Sequence, residues 1–307
     1  MGKVAFVFPG QGSQKVGMGK AAYDAFEASR AVFAAADAAL GDISKLCFEG
    51  PEDQLTLTAN TQPALVTTSI ALLRALDATC DVAAGHSLGE YAAHVAAGTL
   101  AFEDAVRLVR KRGGYMQDAV PVGVGAMAAI LKAERATVEE VCAATPGVVE
   151  PVNFNAPGQI VIAGEAEAVA AASSALEAHK ARAMKLPVSA PFHSSLMRPA
   201  EERLAVDLAA ATFVDPSFPV YVNVDAAPVT TGDAARDALV RQVSRAVRWD
   251  EIITRMVADG VTLFVEIGQG AALTGMIKRI APEAARANVQ GPGDLEAARA
   301  AIAEHRG

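Results

Sequence analysis

The sequence is poor in cysteine and aromatic residues. It has three cysteines, Cys47, Cys80 and Cys142, which are far apart and form no CxxC pair. This usage excludes a disulfide-stapled scaffold and is typical of buried thiols in a reducing compartment. The histidines and cysteines also lack the spacing of metal ligands, so we expect no metal and no bound cofactor.

Positive charge and long apolar runs are scarce as well. Lys and Arg total 27 against 35 Asp and Glu, a formal net charge of −8. Nucleic acid is therefore not an expected partner, because a phosphate backbone requires a broad basic surface. The best apolar run, residues 64–73, is too short to span a membrane and holds three hydroxyl residues. The first residues run directly into a strand-like segment without a signal-peptide core, so we expect a cytoplasmic protein without a membrane partner.

The chemistry of the chain centres on the motif Gly85-x-Ser87-x-Gly89. This spacing is typical of a nucleophile elbow, a sharp strand-to-helix turn that exposes a serine hydroxyl. An apolar run at 82–84 predicts the strand and the pattern at 90–97 predicts the helix. The alternative is an ordinary tight turn in which the serine has no chemical role.

His193 is the histidine best placed to activate Ser87, since a serine hydroxyl needs a neighbouring base. The chain has five histidines. Four are poorly placed: one adjoins the serine in the turn, one lies two turns down the next helix, one sits in an alanine-rich helix and one in the tail (His86, His94, His179 and His305). His193 lies in a loop pinned by prolines at 187, 191 and 199. The alternative is a hydrogen-bonded loop histidine.

Arg112 is a candidate substrate ligand. It is one of four basic residues between 107 and 112, a pattern that usually marks a solvated helix face. We expect the helix to end where Arg112 meets Gly113-Gly114, so that the side chain turns into a cleft. Because arginine holds a carboxylate by two parallel N–H bonds, a substrate with a free carboxylate is consistent with this residue.

A glycine-rich loop, Gly10-Gln11-Gly12-Ser13-Gln14, follows the strand predicted at 4–8. It fails as a dinucleotide loop because Lys15 replaces the last glycine, and as a phosphate loop because Met18-Gly19 replace Lys-Ser/Thr. Such a loop instead presents main-chain N–H groups to a developing oxyanion. The alternative is a plain flexible connection.

The element pattern predicts two domains, as the length of 307 residues also favours. The pattern within residues 123–190 predicts strands at 127–131, 148–153, 159–163 and 182–188, with helices at 137–144 and 165–180. This βαββαβ order is that of a ferredoxin-like small domain, inserted into a large one formed by residues 1–122 and 191–307. In the large domain strands alternate with helices, which predicts a mostly parallel α/β sheet covered on both faces.

Five segments, in order, resemble motifs of one family: Phe8-Pro9-Gly10-Gln11-Gly12-Ser13-Gln14, Gly85-His86-Ser87-Leu88-Gly89-Glu90-Tyr91, Arg112-Gly113-Gly114-Tyr115-Met116-Gln117, Asn155-Ala156-Pro157-Gly158-Gln159 and Pro191-Phe192-His193. The family is the malonyl-CoA:acyl-carrier-protein transacylases of bacterial fatty-acid synthesis. The resemblance spans essentially the whole chain. It implies an α/β-hydrolase-like large domain with a ferredoxin-like insert.

The resemblance also implies roles. Ser87 becomes the acylated nucleophile, His193 its base and Arg112 the ligand of the malonyl carboxylate. The main-chain N–H groups of Gln11 and Leu88 become the oxyanion hole.

Gln242 falls where the family has a glutamine that orients the histidine. No acid between Ser87 and His193 lies in an obvious post-strand loop, so we expect a Ser–His dyad. In that dyad the side-chain carbonyl of Gln242 would accept the Nδ1–H bond of His193.

Two segments depart from the family pattern. Gly268-Gln269-Gly270-Ala271 replaces the usual Gly-Pro-Gly-Lys, which affects a loop near the cleft or the carrier contact. His94 stands where an apolar residue is common, and we expect it to change only packing.

The expected reaction is transfer of a malonyl group from malonyl-CoA to the phosphopantetheine thiol of acyl carrier protein through an acyl-serine. Docking of an acidic carrier is predicted at a basic patch made of Arg182, Lys185, Arg198, Lys278 and Arg279. Two alternatives remain at this point: a thioesterase or esterase on the same scaffold, and an inactive carrier-protein-binding module.

Overall fold

The computed structural model describes residues 2–188 and 190–306, which form two β-sheets packed with helices. The strands are β1 Lys3–Phe8, β2 Val82–Gly85, β3 Gly125–Leu131, β4 Val149–Ala156, β5 Gln159–Glu165, β6 Arg182–Lys185, β7 Val220–Val222, β8 Ala227–Val229, β9 Val261–Ile267 and β10 Ala285–Val289. The six-stranded sheet has the order β10-β9-β1-β2-β7-β8, and the four-stranded sheet has the order β4-β5-β3-β6.

The helices pack against the two sheets. They are α1 Lys20–Ala25, α2 Glu27–Leu40, α3 Ile43–Glu49, α4 Glu52–Thr56, α5 Thr58–Leu76, α6 Gly89–Ala96, α7 Phe102–Asp118, α8 Arg135–Ala144, α9 Ala166–Ala178, α10 Arg198–Ala210, α11 Gly232–Arg241, α12 Trp249–Ala258, α13 Ala272–Ile280 and α14 Leu295–Arg306. No helix in the described part of the chain is long and apolar enough to cross a bilayer.

The large sheet is parallel except at one edge, where β8 pairs antiparallel with β7. Its central strand β1 is apolar on both faces because both faces are covered. Val4, Phe6 and Phe8 face the larger core, whereas Ala5 and Val7 face a second core that contains Trp249. The predicted mostly parallel, doubly covered sheet is confirmed.

The small sheet is fully antiparallel, and its strands lie between residues 125 and 185. The order β4-β5-β3-β6 is the one that a βαββαβ unit of the ferredoxin-like type produces. Helices α8 and α9 supply Val138 and Leu176 to a core on one face. The fold class is confirmed, while the domain limits at 122/123 and 190/191 stay a prediction.

Two main-chain hydrogen bonds join the small sheet to the large unit. Phe154 N donates to Val247 O at 2.9 Å, and Val247 N donates to Val152 O at 2.8 Å. Strand β4 is thereby fixed to the segment that precedes α12. The relative position of the two sheets is set by main-chain contacts as well as by side chains.

The expectation that a helix ends at Arg112 is wrong. Helix α7 continues through Gly113-Gly114 to Asp118, so Arg112 projects from the middle of the helix. Gly113 is needed for packing: a Cβ there would lie 2.6 Å from the carbonyl oxygen of Thr58, at the start of α5. The helical penalty of glycine, about 1 kcal/mol, is offset by this close approach and by burial of Val109 and Met116.

Helix α11 stops at Arg241 and is followed by a 3₁₀ turn over Gln242–Ser244. A carbonyl in such a turn is not committed to an i+4 donor, which makes it available to another group.

Candidate active site

The elbow around Ser87 has the predicted strand–turn–helix form. Strand β2 ends at Gly85 and α6 begins at Gly89, and Ser87 lies between them with φ 50°, in the left-handed region. A Cβ at Gly85 would overlap the main chain of Gly89, and a Cβ at Gly89 would overlap the carbonyl of Phe8. Both glycines are therefore required by close main-chain approach.

Ser87 and His193 form a direct contact. Ser87 Oγ lies 2.7 Å from His193 Nε2, and the imidazole is 4% exposed. His193 Nδ1 lies 2.8 Å from the main-chain carbonyl oxygen of Gln242. With Nδ1–H donating to this carbonyl, the Nε2 lone pair faces the serine hydroxyl.

The predicted acceptor on Gln242 was the wrong atom. The histidine is oriented by the main-chain oxygen, and the side-chain amide is used elsewhere. The reason is the 3₁₀ turn, which leaves the Gln242 carbonyl free to accept. Among the described residues no Asp or Glu oxygen is a hydrogen-bond partner of His193, as the dyad prediction requires.

The environment holds His193 in its neutral form. Burial, and next the nearby Arg112 cation, lower the pKa of His193 to about 3. The hydrogen bond to Gln242 acts in the opposite direction and is outweighed. A neutral imidazole at neutral pH is the form that accepts a proton.

Arg112 reaches the same point from α7 and is 1% exposed. Its Nη1 donates to Gln62 Oε1 at 2.9 Å, and its Nη2 donates to Gln242 Oε1 at 2.9 Å and to Ser87 Oγ at 3.1 Å. These three acceptors are uncharged. Burial lowers the pKa of Arg112 below its ordinary value. A desolvated guanidinium without a contacting carboxylate is a strong site for a carboxylate ligand.

Two residues that line the cleft beside Ser87 have main-chain N–H groups without an acceptor among the described residues. Gln11 and Leu88 both line it. Across residues 2–188 and 190–306, neither main-chain N–H donates to an acceptor in the protein. Both are thus free to donate to an oxygen of a bound molecule.

The cleft around these groups has a volume of about 400 Å³ and is lined by residues of the small sheet and by residues that follow strands β1 and β2 of the large sheet. Met127 comes from β3 of the small sheet, and Leu186 directly follows β6. Its apolar lining includes Leu57, Met116, Met127, Leu186, Val188 and Phe192. In the described part of the chain, no group of three or more His, Cys, Asp or Glu side chains could hold a metal ion.

The acyl transferase domain family matches residues 5–293. A malonyl CoA-acyl carrier protein transacylase of Escherichia coli strain K12 is 49% identical over 306 residues, covering 97% of this chain and 99% of the relative. An acyl-carrier-protein S-malonyltransferase structure from Burkholderia pseudomallei has a TM-score of 0.94 at 49% identity, covering 96% of this chain and 99% of that one. A structure of a type II PKS acyl-carrier protein in complex with its malonyl-transacylase contains a chain that matches with a TM-score of 0.94 at 44% identity. The match covers 96% of this chain and 98% of that one.

The chain belongs to the acyl transferase domain family.

The family departure at 268–271 lies against the glycine-rich loop. Gly268 has φ 150°, and a Cβ there would lie 2.6 Å from the ring of Pro9. Gly270 N donates to Gln290 Oε1 at 3.1 Å, and its carbonyl accepts from Asn288 Nδ2 at 3.0 Å. The segment with Gln269 and Ala271 therefore adjoins the loop that carries Gln11.

His94, the other departure, is fully buried one turn after Glu90. Its Nε2 lies 3.9 Å from Glu90 Oε1, and neither ring nitrogen has a hydrogen-bond partner among the described residues. The residue does not reach the cleft.

The basic patch is exposed, as a docking surface requires, but its role stays a prediction. Two members lie on β6, one is the first residue of α10 and two lie in the last turn of α13 (Arg182, Lys185, Arg198, Lys278 and Arg279). Arg279 Nη1 donates to Gln159 Oε1 at 2.7 Å, so this side chain is tied to the start of β5.

Sequence reasoning missed Asn223, which holds the elbow. Its Oδ1 accepts from Ser87 N at 2.6 Å, and its Nδ2 donates to Gly85 O at 2.7 Å. The available signal was an asparagine next to the apolar run Val220-Tyr221-Val222, since active-site residues collect at the carboxyl ends of the strands in parallel sheets.

Two further buried polar residues were also missed. Gln62 is 1% exposed on a helix that is otherwise mostly apolar, and Glu90 is fully buried within the elbow motif itself. A charged residue directly after a nucleophile turn was a usable signal for Glu90, since buried charges are rare unless they have partners.

Proposed function

We propose that this protein transfers a malonyl group from malonyl-CoA to acyl carrier protein through an acyl-Ser87 intermediate. One observation carries the proposal. A buried guanidinium without a contacting carboxylate lies 3.1 Å from the hydroxyl oxygen of Ser87, which in turn faces a neutral imidazole. Relatives named as malonyl transacylases support the same substrate pair.

In the first half-reaction, His193 Nε2 takes the Ser87 proton as Oγ attacks the thioester carbonyl carbon. The N–H groups of Gln11 and Leu88 donate to the resulting oxyanion. The C–S bond then breaks, and the imidazolium returns its proton to the coenzyme A sulfur. The product is malonyl-Ser87 and coenzyme A thiol.

In the second half-reaction, the phosphopantetheine thiol of the carrier attacks the acyl-serine. His193 accepts the thiol proton and returns it to Ser87 Oγ as the ester bond breaks. The main-chain carbonyl of Gln242 keeps the imidazole in the tautomer that both steps need.

Arg112 binds the free carboxylate of the malonyl group in both steps. A carboxylate at Arg112 replaces uncharged acceptors by a charged one, which stabilises the buried cation. A neutral acyl group such as acetyl leaves the guanidinium without this partner. Selectivity therefore follows from the cost of an unpaired buried charge.

The steps are proton transfers and acyl exchanges, so the proposed reaction uses no metal or redox cofactor. We place it in the cytoplasm, because free buried thiols such as Cys47 and Cys80 persist in a reducing compartment. We also propose that residues 123–190 form a small domain that closes the substrate cleft over the large domain.

Intact-mass measurement tests the proposal directly. Mixing the protein with malonyl-CoA should add one malonyl group, and Ser87→Ala should add none. Addition of phosphopantetheinylated carrier should then return the protein to its original mass and load the carrier. Absence of an adduct rejects the acyltransferase, and equally fast loss of malonyl-CoA without carrier assigns a thioesterase.

Replacement of Arg112 tests the substrate class. Arg112→Ala should reduce malonyl transfer on the order of a hundredfold or more, because a buried charge-assisted pair is lost. It should at the same time improve the relative rate with acetyl-CoA. An unchanged malonyl preference in this variant would place the carboxylate site elsewhere.

A further inference from the structure

A fully buried carboxylate, that of Glu90, is separated from Arg112 by one side chain, that of Gln242. Glu90 is 0% exposed, and Arg112 donates to Gln62, Ser87 and Gln242 rather than to Glu90. Its Oε2 accepts from Gln242 Nε2 at 3.0 Å, and Gln242 Oε1 accepts from Arg112 Nη2 at 2.9 Å. The three side chains form a continuous line of hydrogen bonds from the carboxylate to the guanidinium.

The Gln242 amide has one workable orientation in this line. Its NH₂ group donates to Glu90 Oε2 and also to the carbonyl oxygen of Ser87, at 3.0 Å. A flipped amide would set its oxygen against the Glu90 carboxylate and its NH₂ group against the Arg112 donor. Glu90 and the Ser87 carbonyl together therefore decide which end of the amide faces Arg112.

Glu90 is itself held rigidly. The same Oε2 accepts from the main-chain N–H of Asn223 at 2.7 Å. Asn223 also binds both sides of the elbow through Ser87 N and Gly85 O. The carboxylate therefore has a fixed position relative to the nucleophile.

We propose that Glu90 is a positioning residue for acyl-group selectivity: through the Gln242 amide it holds the Arg112 guanidinium in the orientation that binds a substrate carboxylate. This inference rests on the proposed malonyl transfer. A residue that served only to stabilise the elbow would affect all acyl groups equally. A residue that positions Arg112 changes the ratio between carboxylated and neutral acyl groups.

Two substitutions of Glu90 separate the effect of its hydrogen bond with Gln242 from the effect of its negative charge. Glu90→Gln keeps an oxygen for the two N–H donors and loses the charge, whereas Glu90→Asp keeps the charge and withdraws it from Gln242. The readout is the ratio of kcat/KM for Ser87 acylation by malonyl-CoA and by acetyl-CoA. We expect Glu90→Gln to hold this ratio within about threefold and Glu90→Asp to lower it about tenfold or more. Glu90→Ala, which removes the acceptor altogether, takes the place of Glu90→Asp if the latter does not fold.

A double variant tests whether Glu90 acts through the amide. The ratio in Glu90→Asp/Gln242→Leu should equal that in Gln242→Leu alone, because the relay is already broken. The main-chain carbonyl that orients His193 is retained in both. Additive losses would mean that Glu90 acts by another route and would overturn the proposal.

His94→Leu is the matched control, since it removes a buried polar side chain one turn further along α6. It should leave the ratio unchanged, and a loss equal to that of Glu90→Asp would assign the effect to packing of α6. Equal loss of malonyl and acetyl acylation in Glu90→Asp would also overturn the proposal. If the wild-type protein shows no malonyl preference at all, the proposed function fails instead, and the two failures are distinguished.

Discussion

Ser87 and His193 both hold backbone conformations that are unusual for residues with a side chain. Their φ angles are 50° and 66°, in the left-handed region. Each such residue costs on the order of 1 kcal/mol, and the local contacts must hold it there. Asn223 binds the main-chain N–H of Ser87, and Ser194 Oγ donates to the carbonyl of Pro191 at 2.7 Å beside the histidine. The two reacting groups are therefore positioned before substrate arrives.

The low pKa of His193 predicts an unusual acid limit for activity. The free imidazole must be neutral to accept the Ser87 proton, and its pKa is lowered to about 3 by burial and by Arg112. The value of kcat/KM for acylation should therefore stay level as pH falls through 6.5, and should decline only toward the lowered pKa. Stopped-flow acylation by malonyl-CoA between pH 8 and pH 4.5 tests whether kcat/KM stays level through this range.

The comparison variant for the pH profile is Arg112→Ala, which removes one of the causes that lower the pKa of His193. Its acid limit should move to higher pH, since a neighbouring cation no longer disfavours the imidazolium. A wild-type decline centred near pH 6.5 would show that the histidine is solvated in the working enzyme.

At the scale of elements, helix α7 holds Arg112 beside Ser87, and the helix continues through the two glycines that follow Arg112. Gly113 lies against the start of α5, and Gly114 has no atom within 4 Å of the position that its Cβ would occupy. The same substitution, glycine to alanine, therefore introduces a Cβ into a crowded position at 113 and into open space at 114.

Gly113→Ala should destabilise the protein by about 1–3 kcal/mol, because the new Cβ would meet main-chain atoms of Thr58 and Ala59 at 2.6–2.8 Å. Gly114→Ala should instead stabilise it by up to about 1 kcal/mol, since alanine is the better helix former. Denaturant unfolding of the two variants gives both values. Equal stability of the two variants would show that α7 and α5 are not packed as closely as described.

The 3₁₀ turn after α11 is the other element that shapes the site. Because the helix stops at Arg241, the main-chain carbonyl of Gln242 accepts a hydrogen bond from His193, while its side-chain oxygen accepts one from Arg112. One residue thus connects the base to the carboxylate site. Its two functions are separable by substitution, since only the side-chain function is lost in Gln242→Leu.

At the scale of the whole molecule, the cleft lies between the two sheets, and the exposed basic patch is predicted to receive the carrier. Charge reversal at Arg182, Lys185, Arg198, Lys278 and Arg279 should raise the KM for the carrier several-fold and leave acylation by malonyl-CoA unchanged. Separate assays of the two half-reactions measure this.

Arg255→Glu provides the control for the patch. Arg255 is exposed near the end of α12, beside the amino end of β9, whereas Ser87 follows the carboxyl end of the parallel strand β2. A change there should leave the carrier KM unaltered. Equal damage to both half-reactions by the patch variants would rule the patch out as a docking surface.

The sequence by itself determined the features that depend on neighbouring residues. The elbow at Ser87 needs only small residues at 85 and 89 between a short apolar strand and a helix, and all of these lie within one stretch. The βαββαβ order of the small sheet followed from hydrophobic periodicity, which each element carries within itself. His193 could be named because the chain has few histidines and its loop is rich in proline.

Only the tertiary structure decided how distant residues meet. It placed Arg112 in mid-helix, because the contact that Gly113 makes with α5 involves residues more than fifty positions apart. It selected the main-chain oxygen of Gln242 over the side chain, because the end of α11 leaves that carbonyl free. It also brought Glu90 and Asn223 together across 133 positions. Local periodicity carries no information about such contacts, since burial and hydrogen-bond partners at these positions are set by the packing of separate elements.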